Sequence, residues 1–250
     1  MALRFSVVVP VFNEAEAIAA VAAEVEGVMA SLDGDYECIF VDDGSSDDTP
    51  RTLAALSARP GSRIRLIRTG VNRGQGAALF LGLNSAAGDL IVTMDGDGQN
   101  CPADIPALVA TLEREALDVV CGIRAERRDG WLRSWMSRVA NAVRARVLRD
   151  GVRDAGCALK VMRRAVVPAL LPVRTLYSFI PALAVSAGFT VGEQRVGHRP
   201  RHGGQSSYGL RTFFWRPLVD MIGVKWYQTR CVLRPEDVAW AAPNRHATVR

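Results

Sequence analysis

Between residues 5 and 122, short apolar runs rich in β-branched residues alternate with segments of helical spacing, and this alternation constrains the fold more than any other feature of the chain. Phe5–Val9, Tyr36–Val41, Ile64–Arg68, Leu90–Met94 and Asp118–Cys121 have the length and composition of buried strands. Glu14–Ser31, Thr49–Ala58, Gly76–Ala86 and Ala103–Glu115 carry apolar residues three and four apart, each after a plausible start signal. A βαβ series of this kind predicts an α/β fold, a mostly parallel sheet with helices on both faces. Ligands of such sheets bind in the crevice beyond the carboxyl ends of the strands. Three polar clusters fall there: Asn13-Glu14 after the first strand, Asp42-Asp43-Gly44-Ser45 after the second and Asp95-Gly96-Asp97 after the fourth.

The third cluster carries the most chemistry. On extended backbone, residues i and i+2 point to the same side, so Asp95 and Asp97 are expected to face one divalent cation together. Hard carboxylate oxygens suit Mg²⁺ or Mn²⁺, which keep coordination positions for water and for substrate phosphates. The competing reading is a tight turn, since Asp-Gly is a common turn former. In the second cluster an Asp can accept a hydrogen bond from the ring N–H of a nucleobase, or its acids can cap the next helix. Asn72-Arg73-Gly74-Gln75-Gly76 opens a helix with two glycines and a cation, so Arg73 and the backbone N–H groups around Gly74 are candidates for approaching a phosphate. A simple loop-to-helix junction is the alternative, because the Lys-Ser/Thr ending of a P-loop is missing.

At 250 residues with 49% hydrophobic side chains, the chain can build one large domain or a domain with a small appendage. Five cysteines without C-x-x-C spacing argue against a zinc knuckle or a disulfide framework and fit a reducing compartment. The N-terminal apolar run is too short for a signal peptide, and no stretch reaches the roughly 18 apolar residues of a membrane span.

The net charge of +5 hides a split: residues 1–120 hold 8 Lys and Arg against 18 Asp and Glu, whereas residues 121–216 hold 18 against 5. The second half is therefore expected to meet something anionic. Nucleic acid is disfavoured, because no reading module and no aromatics interleaved with the basic stretches are present.

Beyond 122 the pattern changes to a basic helix over Ser134–Arg149, a strand-like run at Cys157–Met162, a strand at Thr190–Val196 and a Gly/Arg/Ser loop over His198–Gly209. Leu210–Tyr227 is helix-like, with Trp215 and Trp226 beside Arg211, Arg216 and Lys225. It and the helix from Trp131 to Arg149 have the composition of interfacial helices, with core packing or a homo-oligomer contact as the alternatives. The expected organisation is one domain over 1–209, divided at 122 where the pattern changes, then an amphipathic helix region (210–232) and a mobile tail (233–250).

Taken together, Val8–Glu14 (VVPVFNE), Val41–Asp47 (VDDGSSD), Asn72–Ala78 (NRGQGAA) and Met94–Gln99 (MDGDGQ) resemble glycosyltransferase family 2, with its GT-A fold. Gly122-Ile123-Arg124, Asp154–Lys160 (DAGCALK) and Arg201–Ser206 (RHGGQS) resemble its polyprenyl-phosphate branch, the dolichol-phosphate mannosyltransferase-like members. The resemblance runs from about residue 5 to residue 230 and implies a Rossmann-like sheet flanked by helices, with acceptor-side helices toward the C-terminus. It implies that Pro10, Phe12, Glu14 and Asp43 line a nucleoside pocket with Asp42 beside it, and that Asp95, Asp97 and Gln99 hold the metal and the donor diphosphate. It further implies that Arg124, Arg133 and Arg201 handle phosphates, next to Ser206. The family's lysine after the motif serine is replaced by Ser207, with Arg199 or Arg201 nearby to compensate.

The implied reaction is attack of a polyprenyl phosphate on the anomeric carbon of a nucleoside-diphosphate sugar, GDP-mannose or a UDP-sugar, with inversion and with Mg²⁺ or Mn²⁺ as cofactor. A phosphate acceptor is ionised at neutral pH and needs no strong base. A hydroxyl acceptor does need one, and Asp154 is then the candidate. A non-catalytic nucleotide-sugar-binding module is the rival from another class. The expected location is the cytoplasm, peripherally on the cytoplasmic face of the membrane.

Overall fold

The structure, a computed structural model, describes residues 3–124, 142–199 and 210–230. The first half runs β1 (Leu3–Val11), α1 (Ile18–Ala30), β2 (Asp35–Asp42), α2 (Thr49–Ser57), β3 (Ile64–Arg68), α3 (Gln75–Ser85), β4 (Leu90–Thr93), a 3-10 turn (Pro102–Asp104), α4 (Ile105–Arg114) and β5 (Val119–Arg124). Then come the helical segment α5 (142–148), β6 (Lys160–Arg163), a 3-10 turn (Arg164–Ala169), α6 (Leu176–Ser186), β7 (Val191–Val196) and α7 (Leu210–Arg230).

The seven strands form one sheet in the order β3-β2-β1-β4-β6-β5-β7. The pairs β1/β2, β2/β3, β1/β4 and β5/β7 are parallel, as a strand–helix alternation demands. β6 is antiparallel to both of its neighbours. Its run of residues was legible in the sequence but its direction was not. The chain leaves β5 at the carboxyl end and re-enters the sheet at that same end, so β6 has to run backwards between β4 and β5. The strand also starts later than the apolar run suggests: Cys157–Leu159 precede it as a buried approach.

Alternation along β1 sorts the core into two layers. Val7 and Val9 pack with Ile18 and Val25 of α1 and with Leu108 and Leu112 of α4. Val8 faces the other way, with Leu79 and Leu83 of α3 and Phe179 and Ile180 of α6. All these side chains are buried, each contributing on the order of 1.5–3 kcal/mol. At the exposed edge, arginines Arg63, Arg65 and Arg68 in and beside β3 pair with Asp35, Glu37 and Asp42 of β2. Charged side chains of this kind keep an edge strand from recruiting another chain.

α7 is docked rather than detached. Asp220 accepts hydrogen bonds from the Thr175 backbone N–H (2.9 Å) and hydroxyl (2.6 Å), and Val224 is buried in the α3/α6 layer. The opposite face of α7 is open: Val219, Ile222 and Trp226 are each more than 60% exposed.

Candidate active site

The carboxyl ends of β1, β2 and β4 carry the three polar clusters, and the structure brings their loops together by side-chain-to-backbone hydrogen bonds. Asn13, in a left-handed conformation, accepts from the Ser46 N–H and donates its own N–H to the Ser45 hydroxyl. The Glu14 N–H donates to the Thr49 hydroxyl, and Asp47 accepts from the N–H groups of Ala15 and Thr49. Burial pushes the Asp47 carboxyl up, but the bonds from Thr49 and Ala15 outweigh it and hold the group below its ordinary value. This stitching fixes the β1 loop, with Phe12 and Glu14, against the β2 loop, while Pro10 lies buried within β1 opposite Val41. Asn13, Ser45 and Asp47 stand in the clusters and motifs of the sequence without an assigned role, and Thr49 only opens a helix there; short polar residues flanking Asp-Gly are the signal for such stitching.

Asp42 and Asp43 have structural occupations here. Asp42 is fully buried, accepting from the Ser45 N–H (3.0 Å) and pairing with Arg68. Asp43 accepts from the N–H of Arg73 (3.0 Å), the N–H of Gly74 (2.6 Å) and the Thr69 hydroxyl. The N–H donors expected to reach a phosphate from the Arg73-Gly74 turn are therefore committed to Asp43, while the Arg73 side chain itself is exposed. Gly74 adopts φ +96°, which lets two consecutive N–H groups converge on one carboxylate. A depression of about 380 Å³ opens between these loops, lined by Gly44, Ser45, Arg68, Thr69 and Gly70.

Asp95 and Asp97 lie past the end of β4, on a turn rather than on extended backbone. The same-side argument for the pair is thereby corrected: their proximity comes from the turn. Asp97 accepts from the N–H of Gln99 (3.0 Å), and the Asn100 amide oxygen accepts from the N–H of Asp95 (2.8 Å). Gln75, the first residue of α3, donates its amide to Asp95 Oδ1 at 2.5 Å. Burial and then the Asp97 charge push the Asp95 carboxyl up to about 7, against the opposing charges of Lys160 and Arg124. Such a mutually repelling acid pair is what a divalent cation relieves. Among the described residues no group of three or more His, Cys, Asp or Glu side chains converges on a point, so an ion here would draw its remaining ligands from substrate phosphates and water. The donor set fits Mg²⁺ or Mn²⁺.

Gly76 explains how α3 reaches this loop. A Cβ there would sit 2.3 Å from the Arg174 carbonyl oxygen and 2.4 Å from that of Val173, so only glycine lets the helix start against that segment.

Arg124 at the end of β5 makes a fork with Asp154: Nε to Oδ2 at 2.8 Å and Nη2 to Oδ1 at 2.9 Å. The Asp154 side chain is 6% exposed, and Glu193 accepts from the N–H groups of Arg153 and Asp154. Both carboxylate oxygens thus orient a guanidinium, which disfavours the general-base role. Arg199, expected as a phosphate ligand, is instead clasped by Glu24 with two 2.9 Å bonds, and its N–H donates to the Gln99 carbonyl. It acts as a strut between α1 and the Asp97–Gln99 turn. Arg133, Arg201, Ser206 and Ser207 lie outside the described residues, as does the first half of the expected 134–149 helix, whose second half is helical over 142–148.

The model of the family described as Glycosyl transferase family 2 matches residues 6–171. The chain is 38% identical over 229 residues to a dodecaprenyl-phosphate galacturonate synthase of Rhizobium johnstonii, covering 90% of this chain and 67% of that one. It is 39% identical over 207 residues to an undecaprenyl-phosphate 4-deoxy-4-formamido-L-arabinose transferase of Serratia proteamaculans, covering 83% of this chain and 63% of that one. The chain thus spans about two thirds of the length of these relatives. Among solved structures it is similar to glucosyl-3-phosphoglycerate synthase from Mycobacterium tuberculosis in complex with Mn²⁺, uridine diphosphate and phosphoglyceric acid, with TM-score 0.67, 22% identity, and 92% of this chain and 79% of that chain covered. The fold is GT-A.

Proposed function

The chain belongs to glycosyl transferase family 2, and from that premise we propose that it transfers a sugar, with inversion, from a nucleoside-diphosphate sugar to a polyprenyl phosphate. One observation carries the choice of acceptor: the Arg124–Asp154 fork. The acid best placed to deprotonate a hydroxyl is engaged through both oxygens by an arginine, and the same fork offers an anionic acceptor a preoriented cation. The named relatives, both polyprenyl-phosphate enzymes, support the same class.

In this reading the nucleoside lies against the stitched β1 and β2 loops, with Pro10, Phe12 and Glu14 on one side and the Asp42-Asp43 segment on the other. Asp95 and Asp97, with the Gln99 turn, would hold Mg²⁺ or Mn²⁺, which when bound supplies Lewis-acid neutralisation of the leaving diphosphate. Gln75 orients Asp95. Arg124, held by Asp154, aligns the acceptor phosphate and offsets repulsion between two anionic substrates. The acceptor oxygen forms a bond to the anomeric carbon as the bond to the diphosphate breaks, and the nucleoside diphosphate leaves. No proton need be removed from the nucleophile.

The acceptor is a lipid, and among the described residues no helix is long and apolar enough to cross a membrane. The open face of α7, with Leu218, Val219, Ile222 and Trp226 flanked by Lys225, is suited to rest on the cytoplasmic membrane surface.

The test is transfer from a panel of nucleotide sugars to undecaprenyl phosphate and, in parallel, to undecaprenol, with and without EDTA. Product on the phosphate alone, lost with EDTA, supports the reading; product on the alcohol alone overturns it in favour of a hydroxyl acceptor.

A further inference from the structure

Lys160 is fully buried, at 0% exposure, in the middle of the sheet. Taking an ammonium out of water is costly even after relaxation, and lysines are almost never fully buried unless paired. Packing alone therefore does not call for a cation. Among the described residues its hydrogen-bond partners are two carbonyls, Ala155 O at 3.2 Å and Cys157 O, and not a carboxylate.

Its position gives it a role. Lys160 opens β6, beside Thr93 of β4 and Cys121 of β5. Asp95 follows Thr93 by two residues, and Arg124 follows Cys121 by three. The carbonyls it holds belong to the turn after Asp154. In that turn a Cβ on Gly156 would lie 3.4 Å from Arg124 Nη2 and 3.7 Å from Asp154 Oδ1, so the turn is the seat of the fork. On its other side, Lys160 is, with Arg124, a cation whose charge reaches the Asp95 carboxyl.

Resting on the transferase reading above, we propose that Lys160 is a positioning residue of the reaction: its buried ammonium pins the Ala155–Cys157 turn under the Arg124–Asp154 fork and sets a positive charge between that fork and Asp95. Charge that builds on the diphosphate as the glycosidic bond breaks then meets a field already in place, which favours the transition state over bound substrate.

The experiment compares wild type, Lys160→Met and Lys160→Arg by calorimetry with UDP and with GDP in Mn²⁺, by transfer kinetics and by thermal unfolding. Lys160→Met is expected to fold with a lowered Tm, because the Ala155 and Cys157 carbonyls lose their donor, to bind Mn²⁺ with UDP about tenfold more weakly and, at saturating Mn²⁺, to lose about 100-fold in kcat with little change in donor KM, whereas Lys160→Arg recovers most of kcat. Wild-type values in Lys160→Met overturn the proposal. Equal loss of kcat in both variants also overturns it, marking a structural role only. If Lys160→Met does not fold, a folded Lys160→Arg with about 100-fold lower kcat overturns it, and near-wild-type kcat supports it. Failure of the wild-type protein to bind either nucleotide overturns the transferase reading itself, a result distinct from failure at Lys160.

Discussion

Gln75 donates its side-chain amide to Asp95 Oδ1, so the first residue of α3 orients the first acid of the Asp95–Asp97 loop. The contact ties the helix that follows β3 to the carboxyl end of β4, and it depends on Gly76 letting the helix start where it does.

Replacing Gln75 with Ala is expected to weaken Mn²⁺ binding about tenfold without unfolding the protein, because residues that orient metal ligands are commonly worth 10- to 100-fold in affinity. Isothermal titration with Mn²⁺ in the presence of a nucleoside diphosphate measures it. Unchanged affinity would mean that Asp95 needs no orienter.

The raised Asp95 carboxyl gives a pH dependence with a definite sign. In the metal-free protein it titrates at about 7, above the 3.8 of an unperturbed Asp, so between these values the folded state holds a proton that the unfolded state has released. This group's contribution to stability is therefore complete below about 3.8 and is lost as pH rises through 7. The metal-free wild type should lose stability relative to Asp95→Asn over that window, as followed by Tm in EDTA. Mn²⁺ has to displace the proton, so its affinity should fall by about tenfold per pH unit below 7.

The Arg124–Asp154 fork should behave as a unit. Breaking a buried pair by removing one partner costs about 3–5 kcal/mol, as it leaves the other charge uncompensated. Arg124→Ala and Asp154→Asn are each expected to lower Tm and transfer rate, with the double variant no worse than the poorer single one. Additive losses in a double-mutant cycle would assign the two residues separate tasks.

The sheet, its two faces and the place of the crevice were legible in the sequence because β-branched runs and helical spacing are local signals. The direction of β6 was not, since it follows from where the chain re-enters the sheet. The acids were found by their position after strands, yet their partners were hidden: Asp43 spends its oxygens on the N–H groups of Arg73 and Gly74, and Asp154 on Arg124. Hydrogen bonds spanning about 30 residues leave no local mark. Arg199 reads as a phosphate ligand in a basic loop, and only the fold shows Glu24 of α1 within reach of it. Lys160 closes the Asp154–Lys160 motif with no local sign of its role, because burial of a lone lysine is a property of the assembled sheet.

The measurement that bears most directly on the central claim is transfer of labelled sugar to undecaprenyl phosphate by wild type and by the Asp95→Asn/Asp97→Asn double variant, each with saturating Mn²⁺ and each shown to be folded. The account predicts metal-dependent transfer by the wild type and a loss of at least about 10³-fold in the variant. Transfer by the variant at the wild-type rate would contradict it.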